Sequence, residues 1–330
     1  MAAEYQPSDW RVVDYHPYCL DEAIVDRSTR RPLWIRGPRP ERLEPGEYFV
    51  CLGAAQTFGR FCNRPFPTIL QDRLGLPVLN ISHGGAGPAF FGGNNERLLT
   101  YINDAKFVVV QVMSGRSDSN SQFESEGVGY FRQRSDGRFM DADQAFSNLL
   151  RTQPRAVVAE VVEETRRSWL SSYRQLLAKI RVRKILFWFS TRTPDYQQGW
   201  KNVESLFGPF PQLVNAAMIA DLRRSCDDYV ECVASHGLPQ VLVDRFTRLR
   251  TTVTDPWAAN PWRENRYYPS PEMHEIAARA LESACRAIGN SQPTRVAARH
   301  FWSRIKSITS ASNRSSRGGR VRASTANNCE

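Results

Sequence analysis

The chain has 330 residues, of which 41% are hydrophobic and 24% charged, and its formal net charge is +10. This balance is that of a globular protein, and the length suffices for one large α/β domain with extensions. No apolar stretch approaches the roughly 18 residues of a membrane-spanning helix, and residues 1–19 lack the pattern of a signal peptide. We therefore expect a cytoplasmic protein without a membrane span.

The seven cysteines are irregularly spaced and form no Cys/His cluster of the kind that binds zinc. We expect them to be reduced, and we predict neither a metal nor a cofactor. The segment GGAGPAFFGG lacks the G-x-G-x-x-G pattern of a dinucleotide site.

Much of the positive charge lies at the C-terminal end, where residues 291–330 hold eight Lys or Arg and one acid. This segment is rich in Ser, Arg and Asn and poor in periodic apolar residues, which predicts a disordered, solvated tail. Nucleic acid or an anionic membrane could bind such a tail. Aromatic stacking platforms are nevertheless missing beyond Phe301 and Trp302, so we do not expect nucleic acid as a partner except through the tail.

Strands and helices are predicted in alternation between two irregular ends. Residues 1–45 show no sustained period and predict an irregular N-terminal arm, followed by an α/β domain over 46–290. Apolar runs predict strands at 47–53, 76–82, 106–115, 184–191, 229–234 and 237–244. Helical spacing predicts helices at 66–74, 94–105, 141–150, 157–182, 211–227 and 270–288. The alternation favours a flavodoxin-like, doubly wound α/β fold, with a mostly parallel sheet and helices on both faces.

In such a sheet the ligand crevice lies outside the carboxyl ends of the strands. Five segments should converge there, because each follows a strand or opens the final helix: 53–60, 83–87, 114–120, 190–195 and 265–274. All five are polar, aromatic or contain glycine, as the loops of a binding site often are, although loops at strand ends are commonly polar in any case.

Four of these segments follow one another in a recognisable order: GAAQTFG (53–59), NISHGG (80–85), SGRS (114–117) and NRYYPS (265–270). The order resembles the SGNH (GDSL-type) hydrolase superfamily, with its blocks G-D-S-x-x-x-G, N-x-G-x-x-G, G-x-N-D and D-x-x-H-P. The resemblance spans about residues 47–288. The sequence also resembles an uncharacterised bacterial family with degenerate blocks, loosely associated with surface-polysaccharide and sulfotransferase-type genes.

The resemblance implies that the catalytic positions of the superfamily have changed. Its nucleophilic serine falls on Ala55, its oxyanion-hole asparagine on Arg116, and its aspartate and histidine on Asn265 and Tyr268, while Gly85 keeps its type. Because ester hydrolysis needs a hydroxyl nucleophile and a base, these replacements exclude conventional SGNH hydrolysis.

Several side chains remain as candidates for other chemistry. His83 or His274 could act as a general base, Ser114 as a relocated nucleophile, and Tyr268 as an acid or hydrogen-bond donor. A packed structural role is the alternative for both histidines, and Arg116 could instead pair with Asp118 or Glu124. The predicted ligand-binding residues are Gln56, Thr57, Gly84, Gly85, Arg116, Asn120 and Arg192, because Arg and exposed backbone N–H groups suit an anion.

Two classes of function follow from these residues. The first is an SGNH-like protein that binds an anionic or glycan-related small molecule and acts as a transferase in surface-polysaccharide modification. The second is a non-catalytic binding module that keeps the crevice without the chemistry. The oligomeric state is left open.

Overall fold

Five parallel strands form the central sheet of the computed structural model, which describes residues 7–26, 29–93, 96–254 and 260–290. Their order across the sheet is β2-β1-β3-β4-β5, and each neighbouring pair is parallel. This is the flavodoxin-like order of a doubly wound fold, which confirms the predicted fold class. The strands are β1 (Phe49–Gly53), β2 (Val78–Ser82), β3 (Phe107–Gln111), β4 (Arg183–Ser190) and β5 (Asp228–Val233).

Helices cover both faces of the sheet. In the described part of the chain they are α1 (Ala55–Phe58), α2 (Phe66–Leu74), α3 (Pro88–Gly92), α4 (Glu96–Asn103), α5 (Ala142–Thr152), α6 (Arg155–Lys179), α7 (Val203–Phe207), α8 (Ala216–Arg223) and α9 (Pro271–Asn290). Side chains alternate along β1: Phe49 and Cys51 pack in the cluster of α2 and α9, whereas Val50 and Leu52 pack in that of α3, α4, α6 and α8. Every residue of β1, β2 and β3 is buried, which explains why most of their residues are apolar.

A smaller layer lies beyond β3. Three antiparallel strands, Phe123–Glu124, Tyr130–Gln133 and Phe139–Asp141, pack with α5, α7 and the start of α6 around their own apolar cluster. The Asp141 side chain caps α5 by accepting a hydrogen bond from the Gln144 N–H. The sequence predicted α5 but not these strands.

The N-terminal arm is tied to the loop that follows α1. It contains a 3-10 helix at Pro7–Arg11 and the strand pairs Tyr18–Cys19 with Trp34–Ile35 and Val25–Asp26 with Arg31–Pro32. The buried guanidinium of Arg36 donates to the carbonyl oxygens of Phe58, Gly59, Cys62 and Asn63 at 3.0–3.3 Å. The arm is therefore part of the scaffold of the crevice.

Some predicted elements differ in extent. The strand expected at 237–244 is reduced to Gln240–Val241, which pairs with Glu264–Asn265. The helix expected at 211–227 covers only Ala216–Arg223, because Asn215 caps its start. The predicted tail, 291–330, lies outside the described residues.

Two kinds of feature are missing from the described ranges. No helix there is long and apolar enough to cross a membrane. No group of three or more His, Cys, Asp or Glu side chains there could hold a metal ion.

Candidate functional site

The candidate site lies at the carboxyl ends of β1 and β3, where the order of the strands reverses. β1 ends at Gly53, Ala54 is extended, and α1 begins at Ala55. The side chain of Gln111, at the end of β3, holds this turn: its Oε1 accepts from the Ala54 N–H at 2.9 Å and from the Thr57 hydroxyl at 2.7 Å. A Cβ on Gly53 would lie 2.3 Å from that Oε1, so the turn requires glycine there.

The residues of this turn carry no reactive group. Ala55, which the resemblance places at the superfamily's serine, has a methyl side chain, and Thr57, predicted to bind ligand, is buried with its hydroxyl donated to Gln111. Gln56 is also buried, and its Oε1 has no hydrogen-bond partner in the described structure. Of the two predicted ligand-binding residues, Gln56 therefore retains the capacity to accept a further hydrogen bond.

The turn before α9 contains Asn265 and Tyr268, which the resemblance places at the superfamily's aspartate and histidine. Asn265 Oδ1 accepts from the N–H groups of Tyr267 and Tyr268 at 3.1 and 2.8 Å, and its Nδ2 donates to the Tyr268 carbonyl at 2.9 Å. The side chain of Asn265 thus fixes the loop by binding the backbone groups of Tyr267 and Tyr268. The Tyr268 hydroxyl accepts a hydrogen bond from Arg60 Nη1 at 2.9 Å.

Arg60 is in turn held by Asp9 of the arm. Its Nε and Nη2 donate to the two carboxylate oxygens of Asp9 at 2.9 and 3.2 Å, and both side chains are almost fully buried. Burial opposes the charge of Arg60, but Tyr268 and Asp9 together raise its pKa, so it stays a cation. A phenol hydrogen-bonded to a permanent cation is a poor proton acceptor, which argues against Tyr268 as a general base.

His83 follows β2 directly and lies in a buried pair. Its backbone N–H donates to Gly53, its ring stacks on Phe90 with centroids 4.7 Å apart, and its Nε2 is 3.5 Å from Asp26 Oδ2. Gly84 is buried, whereas Gly85 is exposed with φ +69, a conformation that favours glycine. A carboxylate beside an imidazole orients the ring and stabilises its protonated form, so His83 and Asp26 form a candidate base and its orienting group.

In the third block, Ser117 packs directly against Gly87, because a Cβ on Gly87 would lie 1.7 Å from Ser117 Oγ. The assignment of the superfamily's oxyanion-hole asparagine to Arg116 stays a prediction. Ser114 is buried, and its Oγ accepts from the Arg116 N–H at 3.4 Å.

Arg116 is ion-paired with Asp143 at the start of α5, not with Asp118 or Glu124, and its guanidinium lies over the Phe207 ring at 5.4 Å. Burial opposes the charge of Arg116, and the nearby Asp143 carboxylate raises its pKa, so the guanidinium stays a cation.

Gln212 and Tyr267 lie beside Arg116: the Gly115 N–H donates to the Gln212 carbonyl at 2.8 Å, and the Tyr267 phenol interacts electrostatically with the Arg116 guanidinium. We call Arg116, Asp143, Gln212 and Tyr267 the Arg116 cluster. Gln212 Nε2 donates to the Tyr267 hydroxyl at 2.8 Å, and Gln212 Oε1 is buried without a partner in the described structure. The Tyr267 side chain is 39% exposed and the Asp143 side chain half exposed. The cluster therefore offers charged donors and acceptors beside an accessible aromatic ring.

Two other predicted ligand-binding residues have contacts that favour structural roles. Asn120 Oδ1 accepts from two backbone N–H groups of its own turn, and its Nδ2 donates to Thr165 at 2.9 Å. The Arg192 guanidinium donates to backbone carbonyl oxygens, and burial lowers its pKa to about 10. Those carbonyls belong to Thr193, Pro194, Pro209, Pro211 and Val214.

His274 is fully buried beneath the sheet edge. Its Nδ1 accepts from the Phe66 N–H at 3.2 Å, and its ring packs against those of Phe66 and Phe189. Burial, with a smaller contribution from Arg36, lowers the pKa of His274 to about 3, so the ring is neutral near pH 7. These contacts favour the packed structural role that was the alternative for this residue.

Asp118 is a buried carboxyl group that was not predicted as a site residue. Its Oδ1 accepts from the Ser172 hydroxyl, and its Oδ2 is buried without a partner in the described structure. Burial raises the pKa of Asp118 to about 6. The only feature of the sequence that could have indicated Asp118 as a site residue is its place in the loop after β3.

A groove of about 560 Å³ lies apart from the predicted residues. It runs between the arm, the loop after α1 and the start of α9, and Val13, Cys62, Val243 and Glu272 are among its lining residues. No residue predicted for catalysis or ligand binding lines it.

The model of a family described as a domain of unknown function (DUF6473) matches residues 21–152 and 143–289. No curated protein matches the chain.

Three solved structures illustrate the similarity found. A family two carbohydrate esterase from Clostridium thermocellum, in complex with cellohexaose, is 12% identical over 77% of this chain and 67% of its own, with a TM-score of 0.35. An acetyl xylan esterase from the rumen bacterium Butyrivibrio proteoclasticus is 12% identical over 78% of this chain and 66% of its own, with a TM-score of 0.36. An α/β hydrolase from the metagenome of Lake Arreo, Spain, is 13% identical over 75% of this chain and 98% of its own, with a TM-score of 0.37. The chain thus spans about two thirds of the length of the two esterases.

Proposed function

The chain belongs to the family described as a domain of unknown function (DUF6473), and we propose that it is an SGNH-like protein that binds a glycan-related ligand without hydrolysing esters. The observation that carries this proposal is the hydrogen bond from Arg60, which Asp9 fixes, to the Tyr268 hydroxyl. The resemblance places Tyr268 at the histidine of the SGNH superfamily. With Ala55 at the position of the serine, neither half of the Ser-His pair can work.

The Arg116 cluster supports a polar, uncharged ligand over an anion. Because Asp143 already neutralises Arg116, an anion would have to compete with a carboxylate that lies in contact with the guanidinium. A sugar diol can instead accept hydrogen bonds from Arg116 and donate to Asp143 without separating the two charges.

The remaining members of the cluster fit the same ligand. The exposed ring of Tyr267 can pack against the apolar face of a pyranose. The buried Gln212 Oε1 needs a donor that the described residues do not supply, and a ligand hydroxyl or a water can supply it. Binding at this cluster also accounts for the predicted role of Arg116 as a ligand residue.

Isothermal titration of the full chain with a panel of neutral and acidic oligosaccharides tests the proposal. We expect a neutral oligosaccharide to bind, and Tyr267→Ala and Arg116→Ala to weaken that binding at least about tenfold, the loss of one or two good contacts. Tyr229→Ala, at the start of β5, is the matched control and should bind as the wild type does. If no oligosaccharide binds, the claim that the ligand is glycan-related is wrong. If the protein hydrolyses acetylated sugars or p-nitrophenyl acetate, the claim that it does not hydrolyse esters is wrong.

The buried His83–Asp26 pair favours a transferase as the second candidate function. A histidine oriented by a carboxylate can remove the proton from an acceptor hydroxyl as that hydroxyl attacks an activated donor. The bond between the transferred group and the rest of the donor then breaks, and the leaving group departs with its electron pair. In the same assays, supplemented with nucleotide-sugar and acyl donors, His83→Gln should abolish transfer while oligosaccharide binding persists. If the wild type transfers no group from any of these donors, the transferase candidate is rejected and only the binding function remains.

A further inference from the structure

A short hairpin outside the crevice presents two large apolar side chains to solvent. Val243 bridges Arg250, and the residues between them form a turn that we call the 244–250 tip. Phe246 is 72% exposed and Leu249 69%, against 56% for Phe139, the next most exposed large apolar side chain in the described residues. Single exposed apolar residues are common, but two neighbouring ones at this exposure mark a candidate contact surface.

The conformation of the tip is fixed by its own hydrogen bonds. Asp244 Oδ1 accepts from the N–H groups of Phe246 and Thr247 at 2.9 and 3.0 Å, and the Asp244 carbonyl accepts from the Arg248 N–H at 2.8 Å. The Asp244 N–H donates to the Leu249 carbonyl at 2.8 Å. Phe246 and Leu249 are therefore held outward by an ordered turn, and their exposure does not result from a frayed loop.

Arg245 braces the tip against the body of the protein. Its Nε donates to the Trp10 carbonyl and its Nη1 to Asp14 Oδ2, both at 2.8 Å. Its guanidinium also lies 4.5 Å from the centroid of the Phe246 ring. A braced tip of this kind loses little conformational freedom when it meets a partner.

The charge of the tip is positive. Arg248 and Arg250 flank Leu249 in the chain, Arg245 is paired with Asp14, and Asp244 is the single acid between residues 241 and 254. Hydrogen bonds from Thr247 and Phe246 lower the pKa of Asp244, so its charge is engaged with its own turn. Arg248 and Arg250 are exposed beside Phe246 and Leu249.

We propose that the 244–250 tip docks the protein on the surface of an anionic lipid bilayer. Exposed aromatic and aliphatic side chains with arginines beside them are the chemistry that enters the interface of such a bilayer, with the apolar groups inserted and the guanidiniums at the headgroups. Two protruding side chains are too small an area for a stable protein interface, which buries about 800 Å² per partner. This docking is independent of the function proposed for the crevice.

Sedimentation of the full chain with vesicles tests the proposal. Vesicles of phosphatidylcholine alone are compared with vesicles that contain an equal amount of phosphatidylglycerol. The double variant Phe246→Ser/Leu249→Ser keeps every charge of the chain, including those of residues 291–330, and removes only the apolar side chains. We expect its partition onto the anionic vesicles to fall at least about tenfold, as the burial of two large apolar groups implies.

Phe139→Ser is the matched control, since Phe139 is an exposed phenylalanine on a different hairpin, and it should bind the vesicles as the wild type does. Equal binding by the double variant and the wild type, or no vesicle binding by the wild type, would overturn the proposal. The proposal would also be overturned if the double variant bound vesicles as the wild type does but changed its self-association in ultracentrifugation. The tip would then be a protein interface.

Discussion

The buried pair of Asp9 and Arg60 gives the sharpest test of how the arm supports the site. Asp9→Asn keeps the shape of the side chain and removes its charge, which leaves Arg60 as a buried cation beside Tyr268. Loss of one partner of a buried ion pair costs about 3–5 kcal/mol, and we take the lower end because the Asn oxygen can still accept one hydrogen bond. For a domain of about 290 residues the entropy of unfolding is roughly 0.6 kcal/mol/K, so the expected fall in Tm is about 5 °C.

The assay is differential scanning calorimetry of the wild type and Asp9→Asn at the same pH. Asp72→Asn is the control, because its carboxylate forms a 2.6 Å pair with Arg64 in which both side chains are more than half exposed. Exposed pairs contribute no more than about 1 kcal/mol, which predicts a Tm shift of under about 2 °C for the control. If Asp9→Asn shifted Tm no more than Asp72→Asn, the argument that the arm clamps the turn of Tyr268 would be refuted.

Two further predictions concern pH. Burial raises the pKa of Asp118 from 3.8 to about 6, so between these pH values the folded protein holds more protons than the unfolded chain and its stability falls as pH rises. In urea denaturation, the free energy of unfolding of Asp118→Asn should therefore rise by up to roughly 3 kcal/mol relative to that of the wild type from pH 4 to 7. Parallel stability profiles of the two proteins over this pH range would contradict the burial argument. Burial lowers the pKa of His274 from 6.5 to about 3, so the contribution of the neutral ring to stability is present above pH 6.5 and is lost as pH falls towards 3. His274→Asn keeps an acceptor for the Phe66 N–H and should lose less stability than the wild type as the pH falls over that range. If both proteins lost the same stability in urea denaturation, the result would count against a neutral, packed His274.

The sheet could be predicted because its strands are buried on both faces. The runs of β1, β2 and β3 contain few polar residues, and parallel strands of this kind need no alternation to be recognised. The predicted range of α2 agrees with the structure because Pro67 lies near its start and Gly75, with φ +64, ends it. By contrast, α3 was missed because its residues lie in a glycine-rich segment that reads as a turn.

The site was less predictable because its contacts join distant parts of the chain. Asp9 and Arg60 are 51 residues apart, and Arg60 and Tyr268 are 208 apart, so no local pattern encodes either hydrogen bond. The sequence named Arg116 from its place after a predicted strand and Tyr268 from its place before the last predicted helix. It could not name Asp9, Asp143 or Gln212, because each reaches the crevice from another element.

The separation of Asp9, Arg60 and Tyr268 also bears on how the protein is made. Residues 9 and 60 leave the ribosome early, but the phenol that accepts from Arg60 is synthesised only after 208 further residues. During translation the charged pair of Asp9 and Arg60 must therefore remain without its third member while β2 to β5 are added. A nascent chain in that state lacks α9, which together with α2 covers one face of the sheet. Completion of the crevice is thus among the last events of synthesis, and chains released before residue 268 would expose that face to aggregation or proteolysis.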